Sequence, residues 1–243
     1  MAAEKDTAGP FYGMLCFLGR SFTAKSGLVP GGMMRPMRLT DGIYKVDGMR
    51  VANVYLVVIE DGLLLVDSGM PGNAKRILAF TQNLGHQPRD LRFIVLTHCD
   101  IDHAGGVAKL KELTGAQVAI HELDAPVLSG DQKPQKGGLA MVVLYRLLWF
   151  RPVVPDLLLT DGDTIGGFHV MHAPGHTAGS LVLYRDDGVV FSGDALLSNK
   201  DGQVRPPDPR LALDRAEALA SAERIKALPT RLLLTGHGAP VHS

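Results

Sequence analysis

The run His98-Cys99-Asp100-Ile101-Asp102-His103 follows the apolar stretch Phe93-Ile-Val-Leu96 and carries the strongest indication of fold and function. Its histidines and aspartates can bind a metal ion, and a loop after a buried strand can hold them at fixed positions. Imidazole and carboxylate ligands together suit Zn, Fe or Mn. The run alone leaves a second interpretation open, in which it is a polar loop and Asp102 caps the helix that follows.

Three other residues favour the metal interpretation, because each follows an apolar run and stands among glycine or proline residues. His176 lies in His172-Ala-Pro-Gly-His-Thr-Ala-Gly-Ser180, Asp194 ends a Ser-Gly-Asp triplet, and His237 lies in Thr-Gly-His-Gly-Ala-Pro240. Glycine and proline suit close turns around a ligand better than they suit core packing. The candidate ligands are therefore His98, Asp100, Asp102, His103, His176, Asp194 and His237.

The first half of the chain has a clear order of predicted strands and helices. Two apolar runs within residues 54–66 flank an Asp-Gly turn and predict a hairpin that ends at Asp67. A helix over residues 71–84 then leads to the buried strand 93–96, which ends in the histidine run. The order is hairpin, aspartate, helix, buried strand and histidine.

The second half repeats this order. A hairpin within residues 181–191 ends at Asp194, and a helix over about 208–228 leads to the strand 232–234 before His237. The repetition predicts an α/β fold of two ββα-type halves packed as a sandwich, with the ligands at one edge. A chance likeness between apolar strands is the alternative to a duplication.

The composition excludes several classes of protein. The 243 residues include 25 basic and 25 acidic side chains, so the basic footprint of a nucleic-acid-binding protein is missing. Cys16 and Cys99 lie far apart, which argues against a disulfide framework and favours a reducing, cytoplasmic location. No run reaches the roughly 18 apolar residues of a membrane span, and Glu4 and Asp6 argue against a signal peptide. We expect one domain over residues 1–243, without stable membrane insertion.

Two segments stand outside the repeated order. Residues 1–40 are rich in glycine and methionine and are predicted to form an N-terminal arm. Residues 125–160 are predicted to form an inserted helical lid, because the stretch 139–150 is apolar on every side except Arg146. We expect this helix to cover the metal edge, line an apolar pocket or meet a second copy in a homodimer. An ordinary core helix is the alternative, since periodicity does not separate the two.

From about Ile43 to Pro240, the motifs and their order resemble the metallo-β-lactamase-fold hydrolase superfamily. Lactonases and hydroxyacylglutathione hydrolases are its nearest models for this chain. The resemblance implies a four-layer αββα sandwich that holds one or two divalent metal ions at the edge of the β-layers.

The same resemblance assigns a role to each candidate ligand. The implied ligands are His98, Asp100 and His176 for the first metal and Asp102, His103 and His237 for the second. Asp194 would bridge the two ions. Asp67, in Val-Asp-Ser-Gly, would orient ligands by hydrogen bonds without touching a metal.

Asp100 departs from the family pattern, which is His-x-His-x-Asp-His. Two divalent ions carry four positive charges, which Asp100, Asp102, Asp194 and a bridging hydroxide balance, whereas the usual ligands would leave one positive charge. A more neutral site acidifies its water less and favours harder metals, so we expect more Fe or Mn and a higher working pH. Asp100 could instead leave a mononuclear enzyme. It also keeps open an iron-dependent oxidoreductase that handles oxygen or sulfur.

The implied chemistry is hydrolysis of a small-molecule substrate. A metal-bridging hydroxide would attack, and Asp102 would orient it and carry a proton to the leaving group. The apolar lid favours a lipophilic lactone or carboxylic ester, with a thioester next, over an anionic phosphodiester. Tyr145 and Lys200 are candidate donors to the developing oxyanion. Equally, tyrosine in an apolar run is typical of a core and Lys200 of a solvated surface. A metal-binding module without catalysis is a third possibility.

Overall fold

The computed structural model describes residues 37–134, 143, 147 and 151–243. The chain divides into two units, residues 1–35 and residues 36–243, and the first lies outside the described residues. Residues 36–243 carry all the strands and helices described below. Residues 37–40, which were predicted to belong to the N-terminal arm, form a strand instead, and the rest of that predicted arm lies outside the described residues.

The first sheet has seven strands in sequence order. Strands β1 to β4 are antiparallel, and β4 to β7 run parallel to one another. The strands are β1 Met37–Thr40, β2 Ile43–Lys45, β3 Tyr55–Ile59, β4 Gly62–Val66, β5 Leu91–Val95, β6 Gln117–His121 and β7 Leu157–Leu159.

The second sheet has six strands in the order β15-β14-β11-β10-β9-β8. The pair β11 and β14 is parallel, and the other neighbours are antiparallel. Its strands are β8 Thr164–Ile165, β9 Phe168–His172, β10 Leu181–Tyr184, β11 Val189–Gly193, β14 Leu232–Thr235 and β15 Val241–His242. A separate ribbon pairs β12 Leu197–Ser198 with β13 Val204–Arg205.

The described helices flank the two sheets or connect their strands. They are α1 Ala74–Asn83, α2 Ile101–Ala104, α3 Val107–Thr114, α4 Ala125–Leu128 and α5 Arg215–Lys226, with a 3₁₀ turn over Pro88–Asp90. None of the helices within the described residues is long and apolar enough to cross a membrane.

Alternating side chains of the strands place each sheet between two apolar layers. Successive residues of a strand point to opposite faces. Thus Leu65 of β4 packs with Ile77 of α1 and Leu110 of α3, whereas its neighbour Leu64 packs with Phe191 of β11. The first sheet therefore has helices on one face and the second sheet on the other.

The second sheet is covered in the same way on its outer face. Val190 of β11 and Leu233 of β14 pack against Ala222 and Ile225 of α5. The layers are thus helices, sheet, sheet and helix. This is the predicted αββα sandwich, and its β3-β4-β5 and β10-β11-β14 units repeat a hairpin followed by a parallel strand.

Both predicted hairpins and both buried strands are confirmed, but two boundaries differ. The helix predicted over 208–228 begins only at Arg215, where Asp214 accepts a hydrogen bond from Glu217 N and caps it. The ends of the predicted lid belong to the first half, since Leu128 lies in its core and Leu157–Leu159 extend the sheet beside β6. Most of the middle of that segment, including Tyr145, lies outside the described residues, so the lid and its dimer contact stay predictions.

Candidate metal centre

The candidate ligands lie at the ends of two parallel strand pairs. His98 comes after β5, which runs parallel to β4, and Asp67 directly follows β4. His237 comes after β14, which runs parallel to β11, and Asp194 directly follows β11. The carboxyl ends of parallel strands meet at one edge, where α/β proteins commonly bind ligands.

The histidine run leads into the short helix α2, which begins three residues after His98. Asp100 is the residue before α2, yet its side chain makes no capping hydrogen bond. Asp102 lies inside the helical turn, so the interpretation of Asp102 as the cap is wrong. Asp102 and His103 are adjacent residues of this four-residue helix, and both side chains point toward the same cluster of side chains.

The structure brings the candidate ligands into three overlapping groups, in each of which the ligand atoms lie within 4.8 Å of one another. The groups are His98 with Asp100 and His176, His98 with His103 and Asp194, and Asp102 with His103 and His237. The first and third groups are the sets expected for two metals. A short contact within each group agrees with this assignment. Asp100 Oδ2 is 3.1 Å from His176 Nε2, and Asp102 Oδ2 is 3.4 Å from His237 Nε2.

Asp194 lies between these two groups. Its Oδ2 is 3.5 Å from His176 Nε2 and 3.3 Å from His237 Nε2, and its Oδ1 is 3.5 Å from His103 Nε2. Oδ1 is buried and has no hydrogen-bond partner among the described residues. A buried carboxylate oxygen normally accepts hydrogen bonds, so this one suits a metal ligand.

Asp67 orients His103 from behind. Its carboxylate accepts hydrogen bonds from Thr97 N at 2.8 Å, from Thr97 Oγ1 at 3.0 Å and from His103 Nδ1 at 2.8 Å. Asp67 holds this position with φ at 62°, a left-handed conformation that is uncommon for residues other than glycine. Because Nδ1 of His103 donates to Asp67, Nε2 is the nitrogen that faces the cluster, and it would bind a metal ion after losing its proton.

His237 is oriented by a backbone group that sequence analysis did not identify. Its Nδ1 donates to Val51 O at 3.0 Å, so its Nε2 also faces the cluster. Asn53 Nδ2 donates to Thr235 O and Gly238 O at 2.8 and 3.0 Å and fixes the loop that carries His237. A backbone carbonyl gives no sequence signal, and Asn53 lies outside every motif.

Asp124 is a second residue that sequence analysis missed. Its buried carboxylate accepts hydrogen bonds from Cys99 N at 2.9 Å, Thr177 Oγ1 at 2.8 Å and Gly179 N at 2.8 Å. It therefore joins the loop of His98 to the loop of His176. The available sequence signal was an aspartate shortly after β6, at the same sheet edge as the candidate ligands.

The pKa values reflect dense opposite charges. Burial lowers the pKa of His103, but the carboxylates of Asp194 and Asp67 outweigh it and raise that pKa to about 9. Burial also lowers the pKa of His237, but hydrogen bonds to Asp102 and Asp194 raise it to about 10. Burial raises the pKa of Asp194, whereas His103 and His237 bring it down to about 2. A metal ion must therefore displace protons from these imidazoles.

The space among the ligands is also kept free of other atoms. A Cβ at Gly236 would collide with Asp194 Oδ1 and would come within 2.7 Å of His103 Cε1. Glycine directly before His237 thus leaves room for the carboxylate between the histidines. Together with the partnerless Asp194 Oδ1 and the mixed imidazole and carboxylate donors, this cradle fits divalent metal ions.

The two candidate substrate contacts are not part of this cluster as described. Tyr145 lies outside the described residues. Lys200 is exposed in the turn between β12 and β13, and no hydrogen bond or ion pair joins its side chain to a ligand in the described part of the chain. Its role in binding stays a prediction.

Comparisons with known proteins agree with this geometry. The family model of the metallo-beta-lactamase superfamily matches residues 47–237. The uncharacterized protein YobT of Bacillus subtilis is 33% identical over 203 residues, which cover 76% of this chain and 82% of YobT. A hydroxyacylglutathione hydrolase of Albidiferax ferrireducens is 32% identical over 185 residues, which cover 72% of this chain and 57% of that enzyme.

A solved structure extends the comparison to three dimensions. TTHA1623, determined in a di-iron-bound form, matches with a TM-score of 0.62 and 31% identity and covers 86% of this chain and 94% of its own. The family model covers most of the chain, and the sandwich places the motif residues together at one edge. The chain therefore belongs to the metallo-beta-lactamase superfamily of metal-dependent hydrolases.

Proposed function

We propose that this protein hydrolyses a lactone, a carboxylic ester or a thioester of a small lipophilic substrate, using two divalent metal ions. The observation that carries the proposal is the cluster of seven candidate ligands in overlapping groups, with Asp194 between them. Bound ions of this kind lower the pKa of a shared water and polarise the oxygen of an electrophile.

A pocket beside Asp100 supports a lipophilic substrate. Its lining is mainly apolar and includes Leu123, Val127 and Leu213, together with Cys99 and Asp100. Leu123 and Leu213 are 48% and 40% exposed, so an apolar group that covers them removes apolar surface from water. The pocket has a volume of about 20 Å³, which is room for one small group, so an acyl group in contact with it would lie next to Asp100 of the ligand cluster.

Asp102 is the residue best placed to move a proton. Its Oδ2 lies 3.4 Å from His237 Nε2 and 3.7 Å from His103 Nε2, and its side chain is 23% exposed toward the open edge. Burial raises the pKa of Asp102, but His237 and His103 lower it below the usual aspartate value. The carboxylate is thus ionised at neutral pH and can hold a proton that is passing to the leaving group.

The test is a substrate panel of lactones, carboxylic esters, thioesters and phosphodiesters, run on protein loaded with Zn, Mn or Fe. We expect hydrolysis of at least one acyl substrate, little hydrolysis of phosphodiesters, and loss of activity in Asp102→Ala. Asp187→Asn, a change at an exposed aspartate, is the control. Inactivity across the panel, or Asp102→Ala as active as wild type, contradicts the proposal.

Asp100 favours one second candidate, an iron-dependent oxidoreductase that handles oxygen or sulfur. Its carboxylate lies 3.1 Å from His176 Nε2 and 3.7 Å from His98 Nε2, which adds a hard oxygen donor to the first ligand group. TTHA1623, a structural neighbour, was determined with two irons. Colour and an absorption band in freshly purified protein support this candidate, whereas stoichiometric zinc alone contradicts it.

The expected higher working pH is tested by restoring the family residue. Asp100→His adds one net positive charge to the ligands, and a more positive site acidifies its water more. We expect the pH profile of kcat/KM on an active acyl substrate to move to lower pH in Asp100→His. An unchanged profile in a variant that retains full metal content counts against the charge argument.

A further inference from the structure

A second depression, distinct from the apolar pocket, lies between two loops of the first half. One wall is the loop between β2 and β3, and the other is the segment that leads from β4 into α1. The groove has a volume of about 740 Å³. Gly48, Arg50 and Val51 line it from the first wall, and Lys75 and Arg76 line it from the second.

The lining of this groove is cationic. It contains Arg50, Lys75 and Arg76, and no aspartate or glutamate is among the lining residues. Within the described part of the chain, none of the three cations forms an ion pair, whereas several other exposed arginines, such as Arg210 and Arg231, do. Three unneutralised cations around one groove produce a positive potential that attracts anions.

The placement of Arg76 depends on the opposite wall. A Cβ at Gly48 would collide with the Arg76 guanidinium, and Gly48 has φ at +73°. Arg76, from α1, therefore lies directly against the backbone of the β2–β3 loop. This contact joins the two walls, and Arg50 and Arg76 line the groove from opposite walls.

Hydrogen bonds link both walls to candidate metal ligands. Val51, in the first wall, accepts the hydrogen bond from His237 Nδ1 through its carbonyl group. The second wall begins just after Ser68, whose backbone N donates to His103 O at 2.7 Å. One hydrogen bond thus links each wall of the groove to His237 or His103, whereas Asp100, of the other ligand group, lines the apolar pocket itself.

We propose that Arg50, Lys75 and Arg76 bind the anionic, phosphate-bearing leaving group of an acyl ester or thioester whose acyl group lies against the pocket beside Asp100. This inference rests on the proposed hydrolase function and adds the class of leaving group. Guanidinium groups bind phosphate oxygens by paired hydrogen bonds, and an extended groove with three cations suits several negative charges.

The pocket and the groove would hold the acyl part and the leaving group, and the bond between these two parts is the one that breaks. Water adds its oxygen to the acyl carbon, and the bond from that carbon to the ester oxygen or thioester sulfur breaks. The electron pair leaves with the oxygen or sulfur, which receives a proton by way of Asp102, so the products are a free acid and the phosphorylated alcohol or thiol. The leaving group departs toward the groove and the acid toward the apolar pocket.

Two thioesters with one acyl group test the groove. Butanoyl-coenzyme A carries phosphates on its leaving group, and S-butanoyl-N-acetylcysteamine carries none. In Lys75→Glu/Arg76→Glu, we expect the ratio of kcat/KM for the first substrate to that for the second to fall roughly tenfold, the effect of losing two exposed ionic contacts. Arg215→Glu, also in the first turn of a helix, is the matched control and should keep the wild-type ratio.

A binding measurement keeps the inference separate from catalysis. We expect desulfo-coenzyme A to bind the metal-loaded wild type in titration calorimetry, with Kd roughly tenfold higher in Lys75→Glu/Arg76→Glu and unchanged in Arg215→Glu. If neither thioester is hydrolysed, the result counts against thioesters as substrates, the panel of acyl substrates decides on the hydrolase function, and calorimetry decides on the groove. Equal Kd values in wild type and the double variant, or equal affinity for inorganic phosphate at the same ionic strength, overturn the leaving-group assignment.

Discussion

Asp67 and Asp194 occupy the same place in the two halves of the molecule, yet their carboxylates do different things. Each follows the second strand of a hairpin, beside a parallel strand. The carboxylate of Asp67 is saturated by Thr97 N, Thr97 Oγ1 and His103 Nδ1. Asp194 leaves Oδ1 without a hydrogen bond and directs both oxygens at histidines.

The residue before each histidine accounts for the difference. Thr97 precedes His98 and engages Asp67 with its backbone N and its hydroxyl group. Gly236 precedes His237, and a side chain there would collide with Asp194. The aspartate of the first half, Asp67, therefore orients a candidate ligand, whereas the aspartate of the second half, Asp194, stays accessible to a metal ion. Topology alone does not decide which aspartate becomes a ligand.

The largest expected effect comes from Asp194→Asn. An amide in this position cannot supply a charged oxygen to both ligand groups, so we expect loss of both metal ions. Activity should fall by more than roughly 100-fold, beyond the range typical of residues that only orient a ligand. Metal analysis and kcat/KM measure this. Retention of two metal ions per chain by the variant would show that Asp194 is not the shared ligand.

Gly236→Ala tests whether the missing side chain keeps Asp194 open. The added Cβ would push Asp194 and His103 apart, so we expect metal content to fall by at least half and activity with it. Gly115→Ala is the control, because a Cβ there meets nothing within 4 Å although its φ is +72°. Gly115→Ala should cost about 1 kcal/mol of stability and no metal. Equal metal content in both variants would contradict this role of Gly236.

Asp67→Asn should have a smaller effect than Asp194→Asn. The amide can still accept from Thr97 N, but its NH2 group opposes His103 Nδ1 and leaves the imidazole poorly oriented. Loss of such a partner typically costs about 10- to 100-fold in metal affinity or activity. Metal affinity by competition with a chelator measures it. A loss as large as that of Asp194→Asn would mean that both aspartates bind metal directly.

The smallest predicted effect is on the stability of metal-free protein. The pKa values of His103 and His237 are raised to about 9 and 10, so their contribution is fully present below about pH 6.5. It is lost as pH rises through 9 to 10. Tm after chelation should therefore fall by several degrees between pH 6.5 and 10. Metal-loaded protein, whose imidazoles are already deprotonated, should show a much flatter profile, and a constant Tm in the metal-free protein would contradict the argument.

Strands and site residues could be predicted accurately from the sequence wherever an apolar run or a motif directly reflects the fold. The apolar runs on either side of the Asp-Gly turns predicted β3, β4, β10 and β11, and the motifs predicted which residues meet at the sheet edge. Short edge strands such as β8 and β15 gave no signal, because two residues cannot show an alternating pattern.

The supporting residues of the site were harder to predict, for a physical reason. Asp124 and Asn53 act through hydrogen bonds to backbone groups that are far away in the sequence, such as Gly179 N and Thr235 O. Those pairings exist only after the two halves pack. The basic groove was also not predicted, since Arg50 comes from the β2–β3 loop, Arg76 comes from α1, and the overall charge of the chain is balanced.

The central claim is that the two halves together build one site for two metal ions, joined by Asp194. Metal content by mass spectrometry, on protein loaded with excess divalent metal and then desalted, tests it most directly. We predict two ions per chain in the wild type and fewer than one in Asp194→Asn. A single ion in the wild type, with the same single ion in Asp194→Asn, would contradict the claim.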